Sequence, residues 1–203
     1  MPKDKMKLLI ASKNPDKIAE IKYLLDDCDI EILSKNEVDF PETIEDRDTI
    51  KGNAIKKAKG AALETGFPTL ADDTGFFVEA LKGDPGVYSA RYAGEDCSYK
   101  DNRDKILKNM KNINKRKAEF RTIAVFADSN GVIKISKGVV KGKVTKKEIG
   151  SNGFGYDSIF RADETGLTFG EMSNEQKNQI SHRARALKVI IPVIRNYYQK
   201  MED

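Results

Sequence analysis

Two adjacent acids offer the clearest chemistry in this chain. They lie in the segment Ala71-Asp72-Asp73-Thr74-Gly75. The apolar run Pro68–Asp72 predicts a strand, and we expect it to end in a turn at Asp73-Thr74-Gly75. Adjacent strand residues point to opposite faces, so Asp72 and Asp73 should have different roles. One could ligate a metal or activate water while the other orients a neighbour. A plain Asp-rich turn is an equally good interpretation of this segment alone.

An acidic stretch upstream could supply further oxygen ligands. Its acids are Glu42, Glu45, Asp46 and Asp48. Carboxylate oxygens suit Mg²⁺, which usually keeps several waters beside the phosphates of a substrate. Taken alone, such a stretch is more often a solvated loop.

A basic segment offers an anion site. Ser12-Lys13-Asn14-Pro15-Asp16-Lys17 joins a predicted strand, Lys7–Ser12, to a predicted helix that Asn14 caps and Pro15 begins. Free backbone N–H groups and the helix dipole at such a start attract anions, and Lys13 and Lys17 add charge. The alternative is an ordinary capped turn with solvated lysines. The glycines of a Walker loop are missing.

A glycine-rich segment could contact a nucleobase. In Gly153-Phe154-Gly155-Tyr156-Asp157, aromatic rings could stack on a base while Asp157 accepts a ring N–H. In isolation, a turn with its aromatic rings in the core is the better interpretation.

A fourth cluster contains the only histidine, His182. Ser181 could cap a long C-terminal helix and place His182 and Arg183 in its first turn, near Lys177. These side chains could donate to the oxygens of a ligand, although a surface helix start would look similar. A Ser-His-Asp hydrolase is unsupported, because no Gly-x-Ser-x-Gly elbow accompanies His182.

The elements that must position these residues alternate between strand and helix. We predict helices after Asn14, over Thr49–Glu64, over Tyr99–Lys111 and from about Ser181 to the C-terminus. The Asn130-Gly131 pair predicts a hairpin between two β-rich runs, Phe120–Ala127 and Val132–Val144. This order predicts a mixed α/β sheet with helices packed on it.

The composition narrows the class of protein. The chain has 203 residues, 39% hydrophobic and 33% charged, with a net charge of +4. That suits one folded domain and gives no sign of nucleic-acid binding. The two cysteines are far apart, no signal peptide is visible and no apolar run is long enough for a membrane helix, so we expect a cytoplasmic protein.

Together these segments resemble the inosine triphosphatase family, the non-canonical purine NTP pyrophosphatases. The likeness runs from Leu8 to about Pro192. Its pieces, in order, are IASKNPDKIAEI, NAIKKA, ADDTG, DPGVYSARYAG, NGFGYD and FGEMSNEQKNQISHRARAL.

The resemblance implies an elongated α/β fold over 1–203, a single domain with a mixed sheet, helices on both faces and two lobes around a nucleotide cleft. It also implies Mg²⁺-dependent hydrolysis of ITP, dITP and XTP to the monophosphate and pyrophosphate, which cleanses the nucleotide pool. A homodimer is implied as well, with no nucleic-acid or membrane partner.

The resemblance also implies roles for single residues. Asp73 would be the general base and a metal ligand with Glu45, while Asp72 would assist. The expected substrate contacts are Ser12, Lys13, Asn14, Lys17 and Lys57 for the phosphates, Thr74 beside the substrate, and Phe154, Gly155, Tyr156, Asp157, Lys177, His182 and Arg183 around the base.

The chain departs from the family pattern at several positions. Gly52 stands where the family usually has Glu, and Arg47 replaces a frequent glycine. Two other functions therefore stay open. One is a pyrophosphatase for modified pyrimidine or canonical nucleotides, and the other is a catalytically weak nucleotide-binding protein. A nucleic-acid binder fits least.

Overall fold

The computed structural model describes residues 6–41 and 43–202, so the predicted acid Glu42 lies outside the described residues. The helices are α1 (Pro15–Leu24), α2 (Ile50–Thr65), α3 (Tyr99–Asn109), α4 (Asn174–Ile180) and α5 (His182–Glu202). The strands are β1 (Met6–Ile10), β2 (Ile30–Leu33), β3 (Thr69–Val78), β4 (Pro85–Gly86), β5 (Lys117–Asp128), β6 (Gly131–Val144) and β7 (Phe160–Ala162).

The strands form a mixed sheet in the order β2-β1-β3-β5-β6-β7, and β4 pairs with β3. β1 lies parallel to β2 and to β3, with Leu9 opposite Leu33 on one side and Thr69 on the other. β4 and β7 pair antiparallel with β3 and β6. The predicted mixed α/β fold is confirmed.

The residues group into two compact units. Unit 1 contains the described residues within Met1–Asp73, Thr122–Gly138 and Arg183–Asp203. Unit 2 contains Thr74–Arg121 and Val139–His182.

Caps mark the helix ends, and the predicted cap at Asn14 is confirmed. Asn14 Oδ1 accepts from the backbone N–H groups at the start of α1, and Thr49 caps α2 in the same way. Gly66, with φ 72°, ends α2 in the left-handed conformation that glycine adopts readily. Ser98 and Asp101 form a capping box on α3.

The core of unit 1 has helices on both faces of the sheet. Leu8, Ile10 and Leu70 share one face and pack with buried residues of α1 and α5. Because side chains alternate along a strand, Leu9 and Ala71 point to the other face, where both are fully buried. There α2 contacts Asp73, the residue two positions after Ala71.

The predicted turn at Asp73-Thr74-Gly75 is wrong, because β3 continues to Val78. Two features extend the strand. Phe76 and Val78 are fully buried, and β4 pairs with Phe76 and Phe77. The missing side chain of Gly75 permits this pairing, since a Cβ there would lie 2.7 Å from the Gly86 carbonyl oxygen.

The core of unit 2 is aromatic. Phe120 lies 4.8 Å from Phe76, 4.9 Å from Phe160 and 5.9 Å from Phe169, measured between ring centroids. The predicted hairpin is confirmed, because two residues join β5 to β6. Helix α4 was not predicted, although Ser173 and Gln176 form a capping box that marks its start in the sequence.

Within 6–41 and 43–202, no helix combines the length and apolar character needed to cross a membrane.

We predict that Gly75→Ala destabilises the protein by about 1–3 kcal/mol, the usual cost of overpacking. The added methyl group would collide with the Gly86 carbonyl and the Phe77 ring. Gly60→Ala in α2 is the matched control, because its Cβ would lie at an ordinary contact distance of 3.7 Å from Thr43 Oγ1. Alanine in place of glycine should also stabilise the helix. Urea denaturation of both variants checks this, and equal stability of the two would contradict it.

Candidate functional site

Asp72 lies between two cations. Its Oδ2 accepts from Arg183 Nη2 at 3.0 Å and lies 3.5 Å from Lys17 Nζ. Arg183 also donates to Glu20, which lies one turn after Lys17 in α1. Asp72 and Arg183 are each 1% exposed. The buried carboxylate is therefore held by α1 and α5 together.

These charges keep Asp72 ionised. Burial would raise the pKa of Asp72, but the positive charges of Arg183 and Lys17 outweigh it and hold that pKa well below its ordinary value. Burial also lowers the pKa of Lys17, although the charge of Asp72 opposes this shift. A carboxylate with such a low pKa is a poor proton acceptor at neutral pH.

Asp73 has a different environment on the opposite face of β3. The Lys57 ammonium on α2 donates to Asp73 Oδ1 at 3.1 Å and to Glu45 Oε1 at 2.8 Å. One cation therefore serves two carboxylates. Burial raises the pKa of Asp73 although Lys57 opposes it. Burial would lower the pKa of Lys57, but the charges of Asp73 and Glu45 outweigh it and raise that pKa.

The second oxygen of Asp73 is the clearest sign of a missing partner. Asp73 Oδ2 is buried and has no hydrogen-bond partner among the described residues. Within 6–41 and 43–202, no group of three or more His, Cys, Asp or Glu side chains could hold a metal ion. The pair Asp73 and Glu45 nevertheless fits Mg²⁺, which is commonly bound by one or two carboxylates plus phosphate oxygens and water.

The loop that carries Glu45 is held by a residue that sequence reasoning missed. Asn53, in the first turns of α2, is 1% exposed, and its Oδ1 accepts from the Arg47 backbone N–H at 2.9 Å. Lys56 donates to the Ile44 carbonyl at 3.0 Å. Asn53 belongs to the NAIKKA motif, and this membership is the sequence signal that could have identified it.

The predicted anion loop is more tightly capped than the sequence suggested. Asn14 Oδ1 accepts from the backbone N–H groups of Asp16 and Lys17 at 2.9 and 3.2 Å, and Pro15 has no N–H group. Ser12 Oγ accepts from the Asn14 N–H. The lysines and the Ser12 hydroxyl, rather than free amides, are therefore the groups that this loop offers to an anion.

In unit 2, the predicted base contacts form a buried cluster. Lys177 Nζ donates to Asp157 Oδ2 at 2.6 Å and lies 4.7 Å above the ring of Phe154, which is partly exposed. The Phe154 backbone N–H donates to the same carboxylate. Arg103, which the sequence did not single out, donates to the Gly155 carbonyl at 2.9 Å.

Two other predicted residues of unit 2 lie deep in its core. Tyr156 is 5% exposed, stacks on Phe76 and donates to the Ser89 carbonyl at 2.7 Å. His182 is 3% exposed and stacks on Phe120 with the rings 4.6 Å apart. Thr74 follows Asp73 in β3 and is half-buried.

The structure places Arg183 with Asp72 in unit 1, so its contact with a base stays a prediction. Its partner Glu20 was missed, because one exposed-looking acid in an amphipathic helix carries no distinctive signal.

The two departures from the expected pattern lie side by side. A Cβ at Gly52 would lie 2.8 Å from Arg47 Cβ and 3.2 Å from Thr49 Oγ1. The absence of a side chain at Gly52 leaves this space to Arg47.

Buried carboxylates beside lysines in an α/β fold are compatible with a site for phosphate chemistry. Comparison with known proteins narrows this class, because residues 8–193 match the Ham1 family. The chain belongs to this family, and the resemblance read from its motifs is confirmed.

Relatives and solved structures agree with this assignment. A dITP/XTP pyrophosphatase of Flavobacterium johnsoniae is 44% identical, over 93% of this chain and 98% of its own. The Ham1 protein of Coxiella burnetii is 36% identical with a TM-score of 0.85, covering 93% of this chain and 98% of its own. The Ham1 protein of Staphylococcus aureus is also 36% identical, with a TM-score of 0.83 over 94% and 99%.

We predict that Asp72→Asn lowers stability by about 3–5 kcal/mol at pH 7, the cost of removing one partner from a buried ion pair. A carboxyl whose folded pKa is depressed contributes its full stability above its unfolded pKa of about 3.9 and loses it progressively as pH falls from that value towards the folded pKa. The difference between wild type and Asp72→Asn should therefore shrink at about pH 3.

Urea denaturation at both pH values measures this difference. Asp104→Asn is the matched control, because its ion pair with Lys100 is exposed and should contribute little. A loss for Asp72→Asn that is the same at pH 7 and pH 3, or no larger than the control loss, would contradict the prediction.

Proposed function

We propose that this chain is a nucleoside-triphosphate pyrophosphatase that hydrolyses non-canonical purine nucleotides, ITP, dITP and XTP, to the monophosphate and pyrophosphate. In the cytoplasm this reaction would remove such nucleotides from the pool. The observation that carries the proposal is the environment of Asp73, a buried carboxylate with a raised pKa and one oxygen without a hydrogen bond. Relatives named dITP/XTP pyrophosphatase support the choice of substrate.

Asp73 is the general base in this proposal. A buried carboxylate beside an attacking water can accept the proton that the water loses. The water would attack the α-phosphorus, and the bond to the bridging oxygen would break to release pyrophosphate. Positioning and charge neutralisation supply most of the catalysis in such phosphoryl chemistry.

Glu45 and Asp73 would hold Mg²⁺ together with phosphate oxygens. When bound, the ion neutralises phosphate charge and helps orient the reacting groups. Lys57, which contacts both carboxylates, would offset the charge of the leaving pyrophosphate. Lys17 would do the same from the start of α1, with Ser12, Lys13 and Asn14 beside the phosphate chain.

The base would be recognised by residues of unit 2 and by donors at the start of α5. The proposed contacts are Thr74, Phe154, Gly155, Tyr156, Asp157, Lys177, His182 and Arg183. Donors among them pair with the C6 oxygen of inosine and xanthosine, whereas the C6 amino group of adenosine would leave them unpaired. A site built to pair one group rejects its replacement strongly.

We also infer a single functional domain over 1–203 and a homodimer, which sedimentation of the purified chain would test.

The function is tested by pyrophosphate release from ITP, XTP, ATP and GTP with Mg²⁺, with an EDTA control. We expect Mg²⁺-dependent turnover of ITP and XTP, with little turnover of ATP and GTP. ATP lacks the C6 oxygen with which the donors would pair, and GTP carries a 2-amino group that the site would exclude. Tight nucleotide binding without pyrophosphate release would replace the proposal with a binding protein. Turnover restricted to modified pyrimidine nucleotides would replace the substrate class.

We predict that Arg47 and Gly52 are energetically coupled. Gly52→Glu alone must displace Arg47, whereas Arg47→Gly/Gly52→Glu removes the collision. A double-mutant cycle with Arg47→Gly as the other single variant should give a coupling of about 0.5–3 kcal/mol. Thermal unfolding of the four proteins measures it. Additive effects would mean that Arg47 adapts to any side chain at position 52.

A further inference from the structure

A cavity in unit 2 has no part in the proposed reaction. Its volume is about 860 Å³, within the usual range for small-molecule sites. It is lined by Glu79, Asn114, Lys115, Arg116, Lys117, Lys143, Val144, Thr145, Lys146, Lys147, Ile149 and Arg161. None of these residues belongs to the predicted active site.

The lining is strongly basic. Seven of the lining residues are Lys or Arg and one, Glu79, is acidic. The charge of Arg161 contributes to the lowered pKa of a nearby carboxyl, Glu171. Among the described residues, the lining lysines form no ion pair. Other cations of the chain do, for example Lys56 with Asp46 and Lys100 with Asp104. The net charge of the whole chain is small, but the lining of this cavity is strongly positive.

Two of these cations lie at directly opposed positions on neighbouring strands. Lys143 of β6 is the direct antiparallel partner of Arg161 of β7. Like charges at directly opposed positions repel and destabilise strand pairing. An anion bound over this pair would remove the repulsion, so the arrangement is suited to a negatively charged ligand.

Arg116 gives the cavity a fixed positive wall. Its guanidinium donates to the backbone carbonyls of Val144 and Thr145 at 2.6 Å, and to those of Met110 and Ile113 at 2.9 and 3.1 Å. These partners are neutral, so the charge of Arg116 is not cancelled by a carboxylate. Its contacts also fix the chain that leads from Val144 to the loop lysines.

We propose that this cavity binds a polyphosphate chain, either free inorganic polyphosphate or the triphosphate of a nucleotide. Five ammonium groups and two guanidinium groups around one space suit a ligand with repeated phosphate charges. Single-stranded nucleic acid fits less well, because no aromatic side chain is among the described lining residues to stack on its bases.

Isothermal titration with inorganic triphosphate in EDTA tests the site. The unmodified protein is compared with Lys143→Ala/Arg161→Ala and with Lys137→Ala, an exposed lysine on β6 outside the cavity. The first variant should lose one bound triphosphate per chain, or weaken it by about tenfold or more per cation removed. Lys137→Ala should bind like the unmodified protein, and both variants should release pyrophosphate from ITP normally.

A second double variant, Lys146→Ala/Lys147→Ala, covers the case in which the strand variant fails to fold, and should weaken triphosphate binding similarly. ATP in place of triphosphate separates the two sources, because equal affinity indicates the phosphate chain alone and tighter ATP binding indicates a nucleotide. Unchanged triphosphate binding in both double variants would overturn the proposal. So would an equal loss in Lys137→Ala, or tighter, Lys143-dependent binding of a single-stranded oligonucleotide.

Discussion

Two adjacent carboxylates buried on one strand need separate cations, because their side chains point to opposite faces of the sheet. Most of unit 1 is organised around this constraint. On one face, α1 and α5 bring Lys17 and Arg183 to Asp72. On the other face, α2 brings Lys57 to Asp73. The helices on both sides of the sheet therefore supply cations to the buried carboxylates as well as burying the apolar residues of β1 and β3.

The two environments differ in charge balance, and this difference separates the roles of the acids. Asp72 meets two cations and stays ionised, which makes it an anchor for the surrounding elements. Asp73 shares a single ammonium with Glu45, and burial raises its pKa although Lys57 opposes the shift. A buried carboxylate in that condition stores an unfavourable desolvation energy, which a metal ion or a proton would relieve.

Local signals in the sequence predicted the helices and most of the strands, because caps, periodicity and the Asn-Gly hairpin act over a few residues. The turn after Asp72 was wrong, since β3 is extended by pairing with Pro85 and Gly86, which no local pattern reveals. The acids and lysines of the proposed site were selected through their motifs. Glu20 was missed because its importance comes from a distant partner, Arg183. Asn53 was missed because its burial and its hydrogen bond to the Arg47 backbone are visible only in the structure.

The division of labour between the two aspartates is tested most directly by Asp73→Asn, measured for ITP hydrolysis and for stability together. Our account predicts that kcat falls by roughly 10²-fold or more, because the general base is lost. Stability should be unchanged or higher, because a desolvated buried carboxylate is replaced by a neutral amide. Near-normal turnover would remove Asp73 from catalysis. A large loss of stability would show instead that Asp73, like Asp72, is a structural anchor.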